Sequence, residues 1–161
     1  MKIGVLAVQG AFIEHEHIIE KIGHEVVEIR QRKDLDGIDG IILPGGESTV
    51  QGQLLRKLDM LATIKSLIAD GLPTLATCAG LILLAGHIDN DDSVHIGTLP
   101  VTVKRNAYGR QLGSFVRTAP MKGFDEFPMI FIRAPYISSI KDSVDVLAAV
   151  NDRIVAVQYN N

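Results

Sequence analysis

The chain has 161 residues and a net charge of −3, from 16 Lys and Arg against 19 Asp and Glu. No basic stripe is visible, which argues against nucleic acid as a main partner, and no apolar stretch approaches the ~20 residues of a membrane span. With 47% apolar residues, this length predicts a single domain over residues 1–161 with one sizeable core. The N-terminus, Met1-Lys2-Ile3-Gly4-Val5, enters an apolar strand directly and lacks the pattern of a signal peptide. The single cysteine cannot close an internal disulfide. A reducing cytoplasm therefore fits best.

Lys2 to Val8 reads as a strand that ends at Gln9-Gly10-Ala11. Glu14 to Ile22 is helical and stops at Gly23. Glu25 to Arg30 and Gly40 to Leu43 are strands, and the second runs into Pro44-Gly45-Gly46. Ser48 or Thr49 can cap a helix reaching about Leu58, and a further helix covers Leu61 to Ala69. Pro73 to Ala76 is a short strand, followed by Cys78 and a helix from Ala79. This alternation predicts an α/β fold of three layers, with a mostly parallel central sheet and helices on both faces. Leu99–Lys104, Leu112–Arg117, Met129–Ile132, Val144–Ala149 and Ile154–Gln158 read as strands with little helical pattern between them. They predict mixed or antiparallel additions in the second half. In such sheets ligands gather outside the carboxyl ends of the strands. The turns at Gly10, Gly45-Gly46 and Cys78 all fall at such ends.

Leu75-Ala76-Thr77-Cys78-Ala79-Gly80-Leu81 has the order strand, nucleophile, helix. A tight turn of this kind projects the nucleophile from the sheet edge and needs small residues two before and two after it. Ala76 and Gly80 meet that need. The helix start offers N–H groups that favour a thiolate. A buried structural cysteine is the competing reading. Leu43-Pro44-Gly45-Gly46-Glu47-Ser48-Thr49 also follows a strand and opens a helix, but it lacks the Gly-Lys-Ser/Thr of a phosphate loop. It suits an oxyanion hole instead, with the Gly46 and Ala79 N–H groups as candidate donors. The plainer alternative is a turn with a helix cap.

Taken together, five segments resemble the glutaminase subunit of pyridoxal 5'-phosphate synthase, within the class I glutamine amidotransferases. They are Gly4–Ala11, Leu43–Thr49, Thr77–Leu81, Arg105-Asn106-Ala107-Tyr108-Gly109-Arg110-Gln111 with Ser114-Phe115, and Phe131–Pro135. The resemblance spans nearly the whole chain and implies a flavodoxin-like fold. It also implies hydrolysis of L-glutamine, with the ammonia passed to a (β/α)8-barrel synthase partner, and no metal or cofactor in this subunit. Residue by residue, it makes Cys78 the nucleophile. Gly46, Glu47, Ser48, Arg105, Ile132 and Arg133 become glutamine-binding residues, and Gln9 lies near the oxyanion region and the partner surface. Two departures stand out. Ala76 replaces a usual Gly. The His-Pro-Glu stretch that completes the family's triad is also absent from the sequence, so a C-terminal segment is expected to be missing.

His15 and His17 flank Glu16, but residues two apart on a helix face different ways. Asp89-Asn90-Asp91-Asp92 lacks the calcium-loop Gly and Glu and reads as an exposed loop. His24, His87 and His95 fit no motif. Two alternatives stay open: a glutaminase serving another synthase, and an inactive module that only docks on one.

Overall fold

The computed structural model describes residues 1–89, 91–105 and 114–160. The chain forms two compact units. Residues 1–84 with 95–98 make the first, and 85–94 with 99–160 make the second.

The first unit is built on a parallel four-stranded sheet. In chain order its strands are β1 (Lys2–Leu6), β2 (Glu25–Ile29), β3 (Gly40–Leu43) and β4 (Thr74–Ala76), laid side by side as β2-β1-β3-β4. The helices are α1 (Ile13–Lys21), α2 (Ser48–Lys57), α3 (Leu61–Ala69) and α4 (Ala79–Leu84), with a 3-10 turn at Arg32–Leu35. All four residues of β3 are buried, as expected of an inner parallel strand covered on both faces. Side chains alternate across the sheet. Val5 and Ile42 face α1 and cluster with its Ile19, while Leu43 on the opposite face meets Gly80 of α4. Helices therefore lie on both faces, as the alternating pattern predicts.

Boundaries shift by a residue or two. α1 ends in a Schellman pattern: the Gly23 N–H donates to Glu20 O and the His24 N–H to Ile19 O. The cap of α2 differs from expectation. Glu47 takes the extended N-cap position and its carboxylate accepts from the Val50 N–H at 2.8 Å. The glycine turn delivers Glu47 in extended backbone, and its longer side chain still reaches the third helical N–H. Ser48 therefore lies one residue inside the helix.

The second unit holds β5 (Ala85–Ile88), β6 (Leu99–Lys104), β7 (Phe115–Met121), β8 (Phe124–Phe131), β9 (Tyr136–Ile140), β10 (Asp145–Val150) and β11 (Arg153–Gln158). Five of them form a mixed sheet in the order β10-β11-β9-β6-β5, parallel only between β5 and β6. β7 and β8 form a separate antiparallel hairpin, anchored by Phe115 stacked on Phe131 with ring centroids 4.7 Å apart. The antiparallel additions expected in the second half are present. The sequence reading does not contain β5 or β9, and it shortens both arms of the hairpin. β5 follows α4 with no turn residue between them, and β9 carries two serines that blur its alternation. The expected strand start at Leu112 lies outside the described residues.

Candidate active site

The turn between β4 and α4 puts Cys78 at φ +48°, in the left-handed region that non-glycine residues rarely enter. Backbone bonds hold it there. The Thr77 N–H donates to Leu43 O at 3.0 Å, the Gly80 N–H to Thr77 O at 2.8 Å and the Ile82 N–H to Cys78 O at 3.2 Å. A Cβ on Gly80 would lie 2.1 Å from Leu43 O, so only glycine lets α4 approach β3 this closely. Cys78 itself is partly exposed, as a nucleophile must be, whereas Ala79 behind it is buried. α4 has only six residues, so its dipole is short. The strained turn contributes more to the placement of Cys78 than the helix does.

The glycine turn after β3 stands beside it. A Cβ on Gly45 would lie 3.6 Å from the Cys78 Cβ. The turn after β1 joins the same cluster. Gln9 Oε1 accepts from the Glu47 N–H at 2.9 Å, and the Ala11 N–H donates to Gly45 O at 2.9 Å. A Cβ on Gly46 would meet Gln9 Oε1 at 2.6 Å, which explains the glycine there. Three turns far apart in sequence thus converge at the carboxyl ends of β1, β3 and β4. Gly46 and Glu47 are exposed, and Ser48 is buried at the first turn of α2.

Across residues 5–161 the chain matches the family described as SNO glutamine amidotransferase. The chain belongs to this family. Among its relatives is the pyridoxal 5'-phosphate synthase subunit PdxT of Desulfitobacterium hafniense (strain DSM 10664 / DCB-2), 57% identical over 162 residues, covering 100% of this chain and 81% of the relative. The PdxT of Haemophilus influenzae (strain PittEE) is 53% identical over 165 residues, covering 100% and 86%. A crystal structure of a glutamine amidotransferase superposes with a TM-score of 0.92 at 38% identity, covering 98% of this chain and 84% of that one. PurLQS from Thermotoga maritima, at 17% identity and a TM-score of 0.72 over 98% and 81%, shares the fold.

The remaining expected residues of this amidotransferase lie in the second unit. Arg105 follows β6, and its Nη1 donates to Asp91 Oδ2 at 3.1 Å. The Asp91 carboxyl is held below its ordinary range, first by hydrogen bonds from the Ser93 side chain and N–H and then by Arg105. Arg133 follows β8 at φ +44°, again in the left-handed region, and Ile132 beside it is exposed. Residues 106–111 of the Arg-Asn-Ala-Tyr-Gly-Arg-Gln motif lie outside the described residues, as does Asn90.

Two residues with a part in this arrangement escape the sequence reading. Asp91 sits in the stretch set aside as an acidic loop, where no short-range pattern ties it to Arg105. Gln51 is wholly buried under the glycine turn. Ser48, Gln51, Gly52 and Leu55 form one helical stripe that is buried throughout, but Leu55 is its one large apolar residue, so the sequence does not mark it. His15 is half-buried and His17 exposed, in line with the divergent directions expected of them. Burial lowers the His15 pKa, opposed by Glu14. Among the described residues, no three His, Cys, Asp or Glu side chains gather as metal ligands, and no helix is long and apolar enough to cross a membrane.

Proposed function

We propose that this chain is the glutamine-hydrolysing subunit of a pyridoxal 5'-phosphate synthase, the whole of it serving as one glutaminase domain in the cytoplasm. The observation that carries the reading is the left-handed turn at Cys78 with the glycine turn against it. The Cys78 thiolate attacks the side-chain amide carbon of glutamine. The developing oxyanion takes hydrogen bonds from the Gly46 and Ala79 N–H groups. The C–N bond then breaks and ammonia leaves with a proton, forming a thioester that water hydrolyses to glutamate. The departing nitrogen takes its proton from a general acid that had first accepted it from the Cys78 thiol, a role the resemblance gives to the family's His-Pro-Glu stretch, which is absent from this sequence.

Arg105 takes the substrate α-carboxylate, for which a planar guanidinium is suited, and Asp91 keeps that side chain in place. The resemblance assigns glutamine-binding roles to Glu47 and Ser48, and likewise to Ile132 and Arg133. Gln9 supports the oxyanion region and lies toward the partner. That partner is a (β/α)8-barrel synthase that receives the ammonia, and the names borne by the PdxT relatives support the pairing.

The test is ammonia release from glutamine by the full-length gene product, with and without the synthase. Cys78→Ala should abolish release and leave glutamine binding largely intact. An electrophilic glutamine analogue should label Cys78 alone. Substantial turnover by Cys78→Ala would reject the nucleophile.

A further inference from the structure

Gln51 lies in the second turn of α2, and none of it is exposed to solvent. Its Nε2 donates to two backbone carbonyls, Gln9 O at 2.9 Å and Pro44 O at 3.3 Å. Gln9 belongs to the turn after β1, and Pro44 opens the glycine turn after β3. One amide nitrogen, with its two protons, therefore ties the two turns together from beneath. The Oε1 of the same side chain is buried with no hydrogen-bond partner among the described residues. An apolar residue of similar length would avoid that cost. The fold tolerates a half-satisfied amide at a position where α2 otherwise buries Leu55 and Gly52.

The amide sits directly under the reacting turn. A Cβ on Gly46 would lie 2.9 Å from Gln51 Nε2. Above it, Gln9 Oε1 holds the Glu47 N–H and Gly45 O holds the Ala11 N–H. These two bonds tie the turns at their upper side, and Gln51 ties them at the buried side. Gly45 O and the Gly46 N–H share one planar peptide, which the Ala11 bond holds at a single point; the Gln51 bond to Pro44 O fixes the preceding peptide and so stops that unit pivoting about it.

We infer that Gln51 is a positioning residue for glutamine hydrolysis, an amide clamp that fixes the Gly46 N–H where the oxyanion forms on the Cys78 adduct. The inference rests on the proposed oxyanion role of Gly46. Gln51 does not touch the substrate. It acts through the two carbonyls, so its removal weakens stabilisation of the transition state and leaves thiolate formation and glutamine binding in place.

The experiment compares Gln51→Met and Gln51→Glu with the parent, each in the full-length gene product bound to its synthase. Met keeps length and approximate volume but donates nothing. For Gln51→Met, kcat should fall about 10- to 100-fold, the loss expected of a displaced oxyanion donor. KM for glutamine and the rate of Cys78 alkylation by iodoacetamide should each stay within about twofold. Alkylation forms no oxyanion, so it does not need the clamp. A Glu at this buried site can donate one bond only when protonated. Its deficit should therefore shrink as the pH falls, while that of Gln51→Met stays flat. A kcat for Gln51→Met within about twofold of the parent would overturn the inference, even alongside a lowered Tm, because the side chain would then serve only the fold. Should Gln51→Met fail to fold, a pH-independent ratio of Gln51→Glu to parent activity would overturn it equally. Failure of the underlying site reading looks different. It would appear as activity in Cys78→Ala, which Gln51 variants do not affect.

Discussion

The two units hold their candidate site residues by different means. In the first, the backbone does the holding. Buried parallel strands end together, and glycine turns approach one another at distances no side chain would allow. In the second, the strands are mostly antiparallel and half-exposed, and Arg105 is kept in place by an ion pair. The contrast follows from the chemistry assigned to each. An oxyanion hole requires backbone N–H groups fixed to within a fraction of an ångström. A carboxylate-binding guanidinium tolerates more freedom, because its planar fork supplies its own geometry.

The sharpest way to break this comparison is Gly80→Ala. The added methyl has Leu43 O, a backbone atom, in its way, so α4 must shift. We expect a loss of about 3 kcal/mol in urea unfolding, together with glutaminase activity. A near-neutral result would show that backbone approach does not set the Cys78 turn.

Arg105→Ala comes next. Glutamine affinity should fall by about 1.5–3 kcal/mol, and Arg105→Lys should recover only part of it. Isothermal titration with Cys78→Ala as the common background measures this without turnover. Unchanged affinity rejects the role of Arg105.

Glu47→Ala removes the side chain that caps α2, and stability should drop by about 1 kcal/mol. Thermal unfolding distinguishes this from an effect on catalysis alone.

Asp91→Asn sharpens the account of the second unit. The Asp91 carboxyl is held below its ordinary value of 3.8. The stabilisation it provides is complete at neutral pH, begins to fade as the pH falls toward that value, and is lost below the folded-state pKa. Asn should flatten this acid-side dependence and weaken glutamine binding roughly two- to fivefold at neutral pH, since the pair is partly solvated. A stability profile identical to the parent's between about pH 2 and 5 would remove the pair from the argument.

The smallest effect belongs to Val116→Thr. Val116 lies on the open face of the hairpin opposite Ile130, and both are largely exposed. Stability should change by less than about 0.5 kcal/mol. A larger loss would mean that this face is covered.

Much of the first unit was legible because its signals are local. Gly40–Leu43 is an unbroken apolar run, Leu61–Ala69 has helical period, and the glycine and cysteine turns punctuate the chain where strands end. The period of the side chains fixes which residues enter the core, and the turn residues fix where the chain reverses. These established the parallel core and marked Cys78 and Gly46 as candidates. The sequence offers Ser48 or Thr49 as the cap of α2, one or two residues after the observed Glu47, because Glu, Ser and Thr stand in a row and only the extended backbone at Glu47 selects among them.

Tertiary structure alone decided the long-range pairings. Gln51 reads as an ordinary polar helix residue until the turns at Gln9 and Pro44 close over it. Asp91 belongs to an acidic stretch until β6 brings Arg105 back to it, fourteen positions later. The left-handed backbone at Arg133 is equally invisible beforehand, and at Cys78 the sequence marks a tight turn but not its left-handed backbone, because neither residue type favours it and the surrounding bonds impose it. The physical reason is common to all of these. A hydrogen bond or ion pair between distant residues leaves no periodicity in the chain. Its partners are chosen by where the sheet delivers them, and the sheet is specified by apolar burial to which they contribute little.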